Sequence, residues 1–233
     1  MNGPSRASEY YNQITRAADP IDFLNGLVTS KKPENNFLEF KGAQRISDKL
    51  IKEYWSKALS GFANTEGGVV IWGIKATRFT DLTNPARKVD CATDFDLVPE
   101  PSSLGQLLKD VRLEATSDPV AGVDICALDG NKGDGSGFVV CLVPESSLKP
   151  HRAQLHPDRQ YYQRIGDSFT IIPHSLLRSL FYPRVQATFH IEANLSWGMA
   201  DQQSQEIPRN AINLKLTANL TNGGPEPPKK SYS

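Results

Sequence analysis

The 233 residues carry 26 Lys and Arg against 26 Asp and Glu, a net charge of zero, with 39% hydrophobic and 22% charged residues. This balance is that of a soluble globular protein. It excludes a collagen-like, fibrous or wholly disordered chain and argues against a uniformly basic nucleic-acid binder.

In chain order, residues 1–30 read as a helical lead-in. Tyr10, Ile14 and Ala17 share one face, and Phe23, Leu24 and Leu27 form a second apolar stripe after Pro20. Asn36–Lys41 reads as a strand. Ser47 is the expected N-cap of a helix running to about Ala63, with Asp48 suited to the positive helix end. A stripe of Leu50, Tyr54, Leu59 and Phe62 is expected to be buried against the next strand, Val69–Ile74. That strand is almost wholly apolar and so is expected to be covered on both faces. The following forty residues show no regular pattern. Ser102 or Ser103 is the expected cap of a helix through Leu104, Leu107, Leu108 and Val111. Val120–Leu128 and Gly137–Pro144 read as strands joined by the glycine-rich stretch 130–137. That stretch leads into a strand and not a helix, so it reads as a turn and not a phosphate cradle. Gln160–Ile165 is another strand, and Pro173–Tyr182 a short helix with Leu176, Leu177 and Leu180 inward. Val185–Asn194 and Ala211–Leu220 alternate like half-buried strands, either a hairpin or the start of a β-sandwich. The expected organisation is α+β: a lead-in over 1–30, a mixed-sheet domain with flanking helices over 31–183, and a β-rich extension over 184–233.

No stretch reaches the ~18 apolar residues of a membrane span, and the polar start Met1-Asn2-Gly3-Pro4-Ser5 is followed by no apolar signal core. Cys91, Cys126 and Cys141 form no C-x-x-C and are expected as reduced thiols, which fits a cytoplasmic protein better than a disulfide framework or a zinc site. Charge is unevenly spread. Residues 31–88 hold eleven basic against six acidic side chains, 89–135 hold three against ten, and 149–188 hold six against two. If the two basic segments meet, they make a phosphate-attracting patch, with the acidic segment expected to lie away from it.

Three constellations carry chemistry. Glu39-Phe40-Lys41 places a carboxylate and an ammonium on one face of a strand, and Glu34 lies five residues earlier. Glu34 and Glu39 are candidate ligands for Mg²⁺ or Mn²⁺, with Lys41 placed to neutralise a phosphate; the plainer alternative is a surface ion pair. Ala63-Asn64-Thr65-Glu66-Gly67-Gly68 is a tight turn whose glycines serve backbone geometry or let a phosphate approach. A nucleotide site there has little support, because no Walker-type lysine follows. The third is Lys149-Pro150-His151-Arg152 followed by Tyr161-Tyr162-Gln163-Arg164, where basic and aromatic residues interleave as phosphate and base contacts do. A lone histidine such as His151 is more often structural.

Together, Phe37–Lys41, the run Ser60–Ile74 containing Phe62-Ala63-Asn64-Thr65-Glu66-Gly67-Gly68, Pro150-His151 and Tyr161–Ser168 resemble, in that order, the Schlafen AlbA_2 domain of bacterial divergent-AAA/AlbA_2 type proteins and animal Schlafens. The resemblance covers about residues 30–183. It implies an α+β fold and nucleic-acid binding, RNA ahead of DNA. In animal Schlafens the domain is a metal-dependent endoribonuclease on transfer and ribosomal RNA, using three carboxylates. Glu34 and Glu39 match two of them. The third belongs to a G-[VI]-D-D context that here reads Gly73-Ile74-Lys75-Ala76, and the nearest downstream acid is Asp81. The resemblance thus implies Glu34 and Glu39 as catalytic, metal-binding residues with Mg²⁺ or Mn²⁺ as cofactor; Lys41 joins them as a catalytic candidate from its place on the strand, and Asp81, the nearest downstream acid, as a candidate third ligand. Lys75, Arg152, Tyr162 and Arg164 are the expected nucleic-acid contacts. The alternative is a non-catalytic regulatory or sensor module of a bacterial transcription-regulator or defence protein. A homo-oligomer is left open.

Overall fold

The structure, a computed structural model, describes residues 5–43, 47–80, 88–130, 133–182, 189–196 and 215–222. The chain divides into two compact units, residues 1–181 and 182–233.

The first unit opens with α1 (Arg6–Thr15) and α2 (Pro20–Thr29). Each starts at a side-chain cap: Ser5 accepts from the Ser8 N–H, and Asp19 accepts from the N–H groups of Ile21 and Asp22. Next come β1 (Leu38–Lys41), α3 (Asp48–Ala63), β2 (Gly68–Trp72), the hairpin β3 (Ile74–Thr80) and β4 (Lys88–Phe95), and α4 (Pro101–Val111). The unit ends with β5 (Asp124–Asp129), β6 (Gly137–Val143), the hairpin β7 (Tyr162–Ile165) and β8 (Ser168–Ile171), and α5 (His174–Phe181). The central sheet has the order β1-β2-β6-β5, with β1 parallel to β2 and the other pairs antiparallel. The architecture is α+β.

Strand alternation divides the core between the two sheet faces. Leu38, Phe40, Val69, Ile71, Phe138 and Val140 pack on Tyr11, Ile14, Leu24 and Leu27 of α1 and α2. Val70, Trp72, Val139 and Cys141 pack on Ile51, Trp55, Leu59, Phe62, Leu104 and Leu108 of α3 and α4. This two-sided cover explains why β2 is buried at every position. Glu39 and Lys41, one residue out of phase with Leu38 and Phe40, therefore face α3.

Several expectations are corrected. The apolar run Val69–Ile74 is two strands, broken at Gly73, whose φ of +107° suits a residue without Cβ. The irregular stretch after it holds the β3–β4 hairpin. The buried stripe of α3 is Ile51, Trp55, Ala58, Leu59 and Phe62, while Leu50 and Tyr54 are 44% and 41% exposed. The N-cap of α4 is Glu100 and neither serine; Ser103 Oγ donates to Glu100 Oε2. On α5 no residue is buried and Leu176 is exposed. The three cysteines, expected as reduced thiols, form no disulfide.

The second unit contains β9 (Phe189–Ser196) and β10 (Lys215–Asn222), an antiparallel pair in register from Phe189–Asn222 to Ser196–Lys215. Among the described residues no helix is long and apolar enough to cross a membrane.

Candidate functional site

The end of α3 fixes where β7 lies. Ser60 Oγ donates to the His151 carbonyl at 2.7 Å and accepts the Tyr162 N–H at 3.0 Å. One turn on, Asn64 accepts the His151 N–H at 2.7 Å. Its Nδ2 donates to the carbonyls of His151 and Tyr162, each at 2.9 Å. His151 is fully buried, with its ring on the Asp118 carbonyl and Ser146 Oγ. The Asn-x-x-Gly-Gly turn is therefore a structural clamp. Gly67 has a φ of +78°, and a Cβ there would strike the Val143 and Glu145 backbone, so its freedom serves packing.

With Tyr162 pinned, Arg164 two residues later points the same way, into the unit. Its side chain is 0% exposed. Nη1 donates to Glu39 Oε2, Nη2 to the Leu38 carbonyl at 2.8 Å and to Glu34 Oε2 at 3.4 Å, and Nε to the Asn35 carbonyl at 3.0 Å. The guanidinium also lies 4.6 Å from the Phe169 ring centroid and 5.5 Å from that of Phe62. Glu34 is held from the other side. Its backbone N–H donates to the Asp90 carbonyl of β4 at 2.7 Å, and its Oε1 accepts the Phe40 N–H at 2.9 Å. Lys41 Nζ stands 2.6 Å from Glu39 Oε1 and 4.9 Å from the Tyr54 ring centroid. The structure thus brings Glu34, Glu39, Lys41 and Arg164 into one cluster.

The two carboxyl groups are shifted in opposite directions. Burial, and then the Glu39 charge, push Glu34 well above the ordinary carboxylate range. Burial alone would also raise Glu39, but the Lys41 and Arg164 charges outweigh it and hold Glu39 down. Two cations, Lys41 and Arg164, thus face the two carboxyl groups.

This cluster floors a cleft of about 430 Å³ whose walls include Tyr54, Lys57, Lys75, Asp90, Asp167 and Phe169. Burial, and then Lys41, lower the Lys57 ammonium; its Nζ lies 4.9 Å from the Tyr162 ring centroid. Lys75 is exposed on β3. Lys75 and Lys41 of the first basic segment therefore meet at the cleft. From the third segment Arg164 arrives only as a buried strut, and it presents nothing to a phosphate. Tyr162 is buried with its hydroxyl on His156 Nδ1 at 3.1 Å, and neither it nor Arg152 lines the cleft. The acidic segment is not held away: Asp90 lines the cleft and Asp96 packs on Gly42. Asp81 lies outside the described residues. Lys57 and Tyr54 were not singled out as site residues, although their three-residue spacing on the polar side of α3 places them on one face.

As arranged, the carboxylates do not fit Mg²⁺ or Mn²⁺. All four oxygens already accept, and two cations stand against them. At ~4 Å each pair of unit charges repels by on the order of 4 kcal/mol near a protein surface. Among the described residues no three His, Cys, Asp or Glu gather as a metal site.

No curated protein matches the chain. Among solved structures it is similar to the crystal structure of the DIP2311 protein from Corynebacterium diphtheriae, with 16% identity and a TM-score of 0.41 over 76% of this chain and 34% of that one. The chain thus spans about a third of that protein's length. The family model described as Schlafen, AlbA_2 matches residues 34–173, from the first carboxylate of the cluster to the start of α5. The chain belongs to the Schlafen AlbA_2 family, a nucleic-acid-related domain family.

Proposed function

We propose that this protein is a non-catalytic nucleic-acid-binding module that takes a single strand, RNA ahead of DNA, along the cleft between α3 and the β3–β4 hairpin. The observation that carries this reading is the placement of Lys41, Lys57 and Lys75 together at one cleft. Phosphates suit such a cleft, and Tyr54, 41% exposed at its wall, offers a ring for base stacking. The preference for RNA follows from the resemblance to the animal Schlafens. Glu34 and Glu39 act as structural groups in this reading, since their oxygens are committed to Arg164, Lys41 and the Phe40 N–H. A regulatory or sensing role, in which occupancy of the cleft is the signal, suits a module of this kind.

The test is fluorescence anisotropy with a labelled single-stranded RNA. Lys57→Glu and Lys75→Glu should each weaken binding by roughly tenfold, about 1.4 kcal/mol. Arg178→Glu on α5, which does not line the cleft, should change it little. Equal losses from all three would contradict the location. Cleavage of transfer RNA with Mn²⁺, abolished by chelator, would contradict the absence of catalysis.

A further inference from the structure

We infer that Arg164 is the resident cation of the Glu34–Glu39 pair, standing where a divalent ion would otherwise sit, and that it is the main barrier to the pair's binding one. The inference rests on three observations. First, the guanidinium reaches both carboxylates at once, from Nη1 to Glu39 and from Nη2 to Glu34, as a bridging ion would. Second, it is held independently of them, by the carbonyls of Asn35 and Leu38 and by the rings of Phe62 and Phe169. Arg164 is therefore positioned by groups other than the two carboxylates, from β1 and its entrance, α3 and β8. Third, both carboxylates are also fixed without it, Glu34 through the Phe40 N–H and Glu39 through Lys41. Removing the guanidinium would leave two oriented carboxyl groups and an empty position between them.

The chemistry left behind suits a hard divalent cation. The oxygens would be those of Glu34 and Glu39 with water completing the shell, as small divalent ions bound by one or two carboxylates retain several waters. Lys41 stays as the one opposing charge, and it is the more mobile cation, 29% exposed on a flexible stem.

The test is a Mn²⁺ titration of the full chain without RNA, read by the free-ion electron paramagnetic resonance signal and by water-proton relaxation. Because RNA is absent, its outcome is separate from that of the binding experiment above. The wild type should leave Mn²⁺ free, with no component that Glu39→Gln removes. Arg164→Gln should bind one equivalent, with an affinity raised roughly tenfold or more by loss of the opposing charge, and Arg164→Gln combined with Glu39→Gln should lose it again. Glu39-dependent Mn²⁺ binding by the wild type would overturn the inference. So would a folded Arg164→Gln protein that leaves Mn²⁺ free. If Arg164→Gln does not fold, Arg164→Met, which keeps the stem beside Phe62 and Phe169 without the charge, is titrated in its place, and a folded Arg164→Met protein that leaves Mn²⁺ free overturns the inference.

Discussion

Arg164 and Glu39 form an ion pair across 125 residues of sequence, with the arginine side chain fully buried and the glutamate 6% exposed. A pair in this setting adds little net stability over an apolar substitute, but breaking one half is severe, because a carboxylate stays buried without its partner. Arg164→Ala should therefore lower stability by about 3–5 kcal/mol. Glu39→Gln in the same chain should restore part of that loss, since the buried charge is gone. Denaturant unfolding of the three proteins checks this, and additive losses would mean that the two side chains do not depend on each other.

The same cluster sets a pH dependence. Glu34 is raised in the folded state, so the folded chain holds a proton that the unfolded chain has released once pH passes the ordinary carboxylate range. Glu34 thus contributes stability that is present below its unfolded pKa and is lost as pH rises toward its raised folded value. Glu39 is held low and acts oppositely, its contribution lost only as pH falls through its folded pKa. Thermal midpoints should decline from mildly acid toward alkaline pH. Glu34→Gln, which keeps the shape and the acceptor for Phe40, should flatten that decline. An unchanged slope in Glu34→Gln would mean that another group titrates.

Much of the frame was legible in the sequence. The period of α3, the apolar run of β2 and the cap at Ser47 each report a local preference that packing reinforces. The β3–β4 hairpin was not legible, because β3 is exposed or half-buried at every position after Ile74 and no apolar alternation marks it. That omission hid how Glu34 is held, since its backbone partner Asp90 lies on β4. Arg164 was legible as a strand residue sharing a face with Tyr162. The direction of that face was not, because it depends on Ser60 and Asn64 gripping β7 from a helix about a hundred residues earlier. Charged residues on a strand suggest solvent, and only the tertiary clamp turns this one inward.

That clamp gives a further expectation. Asn64→Ala removes an acceptor for the His151 N–H and donors to two carbonyls, all buried. Buried groups left unpaired cost about 1–3 kcal/mol each, so the variant should lose roughly 2–4 kcal/mol after partial relaxation. Asn64→Asp, which keeps the acceptor but not the donors, should lose less than Asn64→Ala if the His151 N–H bond dominates, and as much if the two donor bonds do.

Trp55 separates the two faces of α3. It is fully buried, and its indole N–H donates to the Leu108 carbonyl at 3.1 Å. Trp55→Ala should cost about 3–5 kcal/mol. Tyr54→Ala, next to it but at the cleft wall, should change stability by about 1 kcal/mol or less while weakening RNA binding by the loss of a stacking ring, worth about 1–3 kcal/mol per base. A Trp55→Ala protein with an unchanged thermal midpoint would contradict the packing of α3 on α4.

The salt dependence of single-stranded RNA affinity tests the central claim most directly. For a single strand, log affinity falls with log salt at roughly 0.7 per phosphate neutralised. The wild type should show a steep negative slope, and Lys57→Ala with Lys75→Ala should reduce its magnitude by about 1.4, the share of two phosphates. A flat plot for the wild type, or an equal slope in the double variant, would contradict nucleic-acid binding in this cleft.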